Sequence, residues 1–327
     1  MVTEGVDASA PLGEKSPAPA GPDLTSGPLV SVVVATDRGG PFLAEALASA
    51  VAQTYQPVEI VVVDDGATDP AALLAITDRF PGVRVIHQAN AGSSVARNNG
   101  VRFTSGELLV FLDDDDRWEP GRIAAQVAAL HAHPDAPVSY CAMRTIDADG
   151  AVIGEADQRQ VRDVHEVLRK ETGIILPNVM VRRSAFQRVG GFHPSFRRAQ
   201  DLDLVLKLAL EGDFVFVDRP LVDYRFHAGN NTRRYRELCR SIEHILRLHR
   251  WAASEKGRED LVPDYDAALR SNDRFAWWSA SRSARARARR LDVVGAVGDL
   301  AWATQFAPTA PFRVVAGRVR RAPAVTG

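Results

Sequence analysis

Residues 107–116 read ELLVFLDDDD, an apolar run that drives straight into four adjacent carboxylates. Continuous apolar runs are typical of strands buried on both faces, as in parallel sheets covered by helices. Four carboxylates at the end of such a strand repel one another, and their pKa values rise unless a cation compensates. Hard oxygen donors select Mg2+ or Mn2+ over zinc. In an extended segment residues i and i+2 project to one side. Asp113 and Asp115 are therefore expected to face one site, with Asp114 and Asp116 facing away. Few protein ligands are needed there if a substrate diphosphate supplies the rest.

Upstream the same grammar repeats. LVSVVVAT (29–36), VEIVVVDD (58–65) and VRVIHQ (83–88) read as strands. Helices alternate with them: PFLAEALASAVAQT has apolar residues at helical spacing, DPAALLAITDRF opens with Asp69 as N-cap and Pro70 at the first helical position, and SSVARNNGVRFT follows. Strand–helix alternation with short links implies right-handed crossovers and a Rossmann-like, mostly parallel α/β sheet flanked by helices. Ligands of such sheets sit beyond the carboxyl ends of the strands. Thr36 and Asp37, Asp64 and Asp65, and the Asp113–Asp116 cluster all fall at those ends. The first loop, ATDRGGP, matches neither a dinucleotide glycine fingerprint nor a Walker sequence.

Downstream, a helix is expected from Pro120 to about His133, a strand at APVSYCAMRTID, and a helix at VHEVLRKE. GIILPNVMVRRSAFQRVGGF gives a strand, a short helix and a Gly-Gly turn. AQDLDLVLKLALEG gives a helix with Asp201 in its first turn, and DFVFVDRPLVDYRFHAGNNT a strand pair leading to a polar loop. After Arg233 the pattern turns to amphipathic helices, so a boundary is placed near residue 230. Residues 1–28, rich in Pro, Gly, Ala and Ser, are expected to be a disordered tail.

The chain has 327 residues and a formal net charge of -1, which gives no electrostatic case for nucleic-acid binding. Its two cysteines, Cys141 and Cys239, lie far apart and fit core positions in a reducing, cytoplasmic setting. No apolar run reaches the roughly 20 residues that span a bilayer, and the N-terminus does not read as a signal peptide.

VSVVVATDRGGPFLAEALASAVAQTYQPVEIVVVDDGATDP (30–70) resembles the opening of the family 2 glycosyltransferases with the GT-A fold. NAGSSVARNNGVRFTSGELLVFLDDDDRWEPGRI (90–123) is similar to their next block, and VMVRRSAFQRVGGFHPSFRRAQDLDLVLKLALEG (179–212) to their acceptor-side block. The resemblance covers about residues 29–230, with the nucleotide-sugar half at about 29–118, the acceptor half at about 119–230, and a helical basic extension at 231–327. It implies a metal-dependent, inverting transfer from a nucleotide-sugar, UDP-sugar foremost, to a carbohydrate or lipid-linked acceptor in cell-envelope polysaccharide or glycoconjugate synthesis. By the same resemblance Asp65 contacts the nucleobase with Asp64 or Thr36 beside it, Asp113 lies near the ribose with Asp114 as a candidate for the same contact, and Asp115 ligates the metal. Asp201 is the implied general base, which removes a proton from a poorly nucleophilic hydroxyl. His227 is a candidate for the metal or a phosphate oxygen. Arg97 either pairs with the acidic cluster, touches the donor or packs in the core. Trp118 lines the acceptor cleft or packs as a lid. Gln200 stands where the family often has Glu, and Asp37 where it commonly has Tyr.

Two rival readings are a non-catalytic sugar-nucleotide-binding protein and a sugar nucleotidyltransferase. The latter wants a more basic first loop than ATDRGGP, which supplies only Arg38. Near the C-terminus Arg282, Arg285, Arg287, Arg289 and Arg290 lie beside Trp277 and Trp278, and Arg313, Arg318, Arg320 and Arg321 follow. Such a segment either contacts an anionic membrane surface peripherally or forms a solvated helical face.

Overall fold

A computed structural model of the chain describes residues 27–227, 229 and 234–310. Most of the expected N-terminal tail, Arg313 onward, and much of the polar loop after His227 lie outside the described residues. Strands β1 (Val30–Thr36), β2 (Val58–Asp65), β3 (Val83–Gln88) and β4 (Leu108–Asp113) alternate with helices α1 (Pro41–Val51), α2 (Pro70–Thr77) and α3 (Ser93–Arg102). These four strands run parallel in the order β3-β2-β1-β4. Their residues divide by parity. Val33, Val61, Leu109 and Phe111 enter one core, whereas Val32, Val34, Val62, Val110 and Leu112 enter the other. Helices cover both faces, which is why the strands read as unbroken apolar runs.

The second half adds β5 (Arg117–Trp118), α4 (Arg122–Ala132), β6 (Val138–Ile146), β7 (Val152–Gly154), α5 (Val164–Leu168), β8 (Val179–Arg182), α6 (Arg183–Arg188), α7 (Gln200–Leu208) and β9 (Phe214–Arg225). β8 joins β4 and β6 antiparallel, β9 runs parallel to β6, and β5 pairs antiparallel with β9. Thus β4 and β5, separated by only the acidic turn, lie far apart in the strand order, and the turn is gripped from both sides. The strand pair expected over 213–226 is instead the single strand β9. Its register against β6 shifts around Cys141 and Ala142, and the irregularity accommodates Pro220 without breaking the strand.

Three helices complete the described chain: α8 (Tyr235–Glu255), α9 (Val262–Arg289) and α10 (Val293–Phe306). Ile242, Ile245 and Leu246 of α8 and Tyr265 and Ala268 of α9 join the core that contains Phe111. A separate cluster of Cys239, Ala276, Ala280, Trp302 and Ala303 seats α10. Both cysteines are buried and free, and burial pushes the Cys239 thiol up to about 12. Among the described residues no helix is long and apolar enough to cross a membrane.

Candidate active site

β2 ends in Asp64-Asp65-Gly66, and Gly66 has a φ of 78°, a left-handed conformation that suits glycine. The turn divides the two aspartates. Asp64 Oδ1 accepts from the Ala67 amide at 2.7 Å, and its other oxygen lies 2.9 Å from His87 Nδ1. Asp64 therefore stabilises the turn and does not line the cavity below. Asp65 does line it, accepting hydrogen bonds from Gln88 Nε2 at 2.8 Å, Ala91 N at 2.7 Å and Gly92 N at 2.9 Å.

The acidic cluster departs from simple alternation because the strand stops at Asp113. Residues 114 and 115 turn, and the Asp116 amide donates back to the Asp113 carbonyl at 3.2 Å. As a result Asp113, Asp114 and Asp115 all reach one cavity. The expectation that Asp114 faces away is corrected by this turn. Asp116 does face away: it is fully buried, and its Oδ1 accepts from Arg225 N at 2.9 Å. Burial, then the neighbouring Asp113 and Asp115, push its carboxyl well above the usual range. Asp115 is also raised, first by burial and then by Asp113, against a lowering bond from His227.

Each carboxylate of the acidic turn that reaches the cavity has a basic neighbour. Arg97 NH2 reaches Asp113 Oδ1 at 2.5 Å, and its guanidinium lies 5.7 Å from the Phe192 ring centroid. Arg97 is thus both packed and paired. Its NH1, buried, has no hydrogen-bond partner among the described residues. Asp114 accepts from the Thr36 hydroxyl at 2.5 Å and from Arg38 Nε at 3.1 Å and NH2 at 2.9 Å. Arg38 NH2 also reaches Asp115 Oδ2 at 3.3 Å, and His227 Nε2 lies 2.8 Å from that same oxygen. Beneath them Arg225, buried and stacked 4.6 Å from the Phe42 centroid, donates to the Asp115 carbonyl at 2.9 Å and the Glu45 carboxylate at 2.5 Å. Sequence reading missed Arg225. Arg225 closes a strand that also carries Asp218, Arg219 and Asp223, so nothing in the local pattern sets it apart.

The cavity has a volume of about 570 Å³. The α5 and α7 ends complete its lining with Lys170, Arg197, Gln200 and Asp201. Ala199, the N-cap of α7, has φ 53°, and Lys170, after α5, has φ 57°. Only three non-glycine residues described have positive φ, and two border this cavity; such strain tends to gather at functional sites. Gln200 Nε2 donates to Ser93 Oγ at 3.0 Å, tying α7 to the start of α3. Asp203, two residues past Asp201, is buried between Lys207 at 2.9 Å and His249 at 2.8 Å, a structural role. Trp118 does not reach the cleft. It is buried in the core, with the Arg122 guanidinium 3.9 Å from its ring centroid.

Among the described residues no group of three or more His, Cys, Asp or Glu side chains is arranged to hold a metal by itself. The donors present are carboxylate oxygens on Asp113 and Asp115 with the His227 imidazole nearby. This partial set suits a hard cation whose remaining ligands come from a bound diphosphate. The unpartnered Arg97 NH1 beside Asp113 is a further donor available to an anionic ligand.

Residues 31–190 match the profile of glycosyl transferase family 2. An uncharacterized glycosyltransferase of Rickettsia prowazekii is 28% identical over 219 residues, covering 63% of this chain and 66% of that protein. The chain thus spans slightly under two thirds of that relative, and a Rickettsia felis glycosyltransferase, also 28% identical, is matched over 36% of its length and 63% of this chain. Among solved structures, the mannosyltransferase PcManGT from Pyrobaculum calidifontis, in complex with GDP-Man and Mn2+, has a TM-score of 0.57 at 22% identity, covering 94% of this chain and 85% of that one. S. aureus TarS 1-349 in complex with UDP-GlcNAc has a TM-score of 0.56 at 16% identity, covering 82% of this chain and 89% of that one. A mostly parallel sheet with carboxylates converging at its strand ends, in the company of these folds, defines the fold as GT-A. Residues 31–190 are a family 2 glycosyltransferase domain.

Proposed function

We propose that the cavity binds a nucleotide-sugar, UDP-sugar foremost, and transfers its sugar with inversion to an acceptor hydroxyl in a divalent-metal-dependent reaction. The observation that carries this reading is one cavity with Asp65, Asp113, Asp114 and Asp115 on one wall and Asp201 on the other. Asp65 and the α3 entry receive the nucleoside, with Thr36 holding Asp114 in place for the ribose side. Asp115, assisted by Asp113 and His227, would hold Mn2+ or Mg2+, which supplies neutralisation of charge growing on the leaving diphosphate. Arg38 and Arg97 offer further cationic stabilisation there. Asp201 takes the proton of the attacking hydroxyl from the face opposite the diphosphate, and Gln200 orients the acceptor by hydrogen bonding. Carbohydrate or lipid-linked acceptors of cell-envelope synthesis fit a lining that mixes polar groups with the aliphatic Ile174, Ile175, Leu202 and Ile242. The division into a 29–230 transferase unit and a helical basic extension belongs to the same proposal.

The test is a thermal-shift panel of nucleotide sugars with Mn2+, on the native chain and on Asp115→Ala. One donor should stabilise the native chain and leave the variant unmoved. Equal stabilisation of both, or none by any donor, counts against the site.

A further inference from the structure

We propose that the outer face of α10 and the α9–α10 turn dock on an anionic lipid surface. α10 is amphipathic in the wrong sense for a helix that meets water. Its inner face buries Asp299, Trp302 and Ala303, yet its outer face carries Val293 at 64% exposed, Val294 at 86%, Val297 at 61% and Leu300 at 41%. A helix apolar on both faces is expected to be covered on both. The turn before it presents Leu291, 87% exposed with φ 63°. Glycine is the usual residue in that left-handed position at a helix end. Neither backbone preference nor packing explains a leucine there; insertion into an apolar medium does.

Charge identifies the medium. On α9, Trp278, Arg282, Arg285 and Arg289 recur at i, i+4, i+7 and i+11, one stripe of the helix. The Arg282 guanidinium lies 4.3 Å from the exposed Trp278 ring centroid, an amphipathic pair of the interfacial kind. Among the described residues Arg282, Arg285, Arg289 and Arg290 make no ion pair. The two aspartates between Ser279 and Ala307 are already engaged: Asp292 by Arg287 at 2.6 Å, and Asp299 by Arg287 and Arg236. An isologous dimer through this face would bring unpaired arginines together. The chain from Pro311 onward contains four more arginines and no acid, so its charge does not suit it to cover the patch either. Nucleic acid would satisfy the arginines and leave the valines in water. An anionic bilayer satisfies both.

The face is coupled to the cavity through one helix. Leu238 and Ile242 of α8 line the cavity, and Tyr235 and Arg236 at its start hold Asp299 of α10. Docking would therefore set the cavity near the lipid surface. This proposal is independent of catalysis.

The experiment is co-sedimentation of the full chain with phosphatidylcholine vesicles, with and without phosphatidylglycerol, at low and high salt. The native chain should bind only the anionic vesicles and release as salt rises. Each arginine near such a surface is worth roughly fivefold in partitioning, so Arg285→Gln/Arg289→Gln/Arg290→Gln should weaken binding by about a hundredfold. Leu291→Ser/Val294→Ser/Val297→Ser should also lose binding while keeping the native circular dichroism. Failure to bind, equal binding to neutral vesicles, or unchanged binding by both triple variants overturns the proposal. So does light scattering that shows a dimer which the Leu291 variant dissociates.

Discussion

The two walls of the cavity are built on opposite principles. The donor wall stands on parallel strand ends, and each of its carboxylates is already matched: Asp113 by Arg97, Asp114 by Thr36 and Arg38, Asp115 by Arg38 and His227. The acceptor wall stands on loops and short helices. There Lys170 and Ala199 adopt left-handed backbones, and the side chains of Lys170 and Arg197 have no hydrogen-bond or ion-pair partner among the described residues. A pre-organised wall suits a constant ligand, the nucleoside diphosphate. A strained, unsaturated wall suits the variable one.

The largest effect should come from crossing between the walls. Asp201→Asn is expected to leave donor affinity intact and lower turnover by about 10²–10⁴, the range for loss of a positioned general base. Separate donor titration and initial-rate measurements check it, and near-normal turnover removes Asp201 from that role. On the donor wall, Arg38 competes with any added cation for Asp114 and Asp115. Arg38→Ala should tighten Mn2+ binding in the absence of nucleotide by about fivefold, as expected for a half-exposed ion pair. Calorimetry reads it; an unchanged affinity makes Arg38 a bystander.

On the acceptor wall Lys170→Gly should relieve backbone strain of roughly 1–2 kcal/mol. Tm should then rise by about 1–3 °C while the acceptor KM worsens. A fall in both stability and donor affinity would place Lys170 in the scaffold instead. The scaffold beneath it is pH-sensitive. Glu166, bonded by Arg159 and Arg162, is held at about 2 against an ordinary 4.5, with the Arg159 bond the largest cause. Its folded-state pKa is depressed, so its contribution is full above about 4.5 and fades as pH falls toward about 2. Glu166→Gln should remove that acid-dependent slope; melts from pH 2 to 7 test this, and an identical slope in both proteins argues against it.

This contrast also sets what was legible in the sequence. The donor wall could be read because its strands are continuous apolar runs ending in polar residues, a one-dimensional pattern. Three details escaped. The turn at Asp114 broke the alternation that an extended chain would show, Gly66 turned Asp64 away from the ligand side, and Trp118 was drawn into the core by Arg122. The partners Arg225 and Arg38 come from strands and loops far away in sequence, so no local pattern announces them. On the acceptor wall Asp201 was found through a family motif. Lys170 was invisible because its left-handed backbone and cavity position follow from tertiary packing alone.

Joint binding of a divalent ion by the acidic turn and a diphosphate is the central expectation. Electron paramagnetic resonance of Mn2+ titrated into the native chain and Asp115→Ala, each with and without a nucleoside diphosphate, addresses this directly. The native chain should bind Mn2+ tightly only when the diphosphate is present, and the variant should give the spectra of Mn2+ in buffer with and without the diphosphate. Identical spectra from the two proteins in the presence of diphosphate would contradict the account.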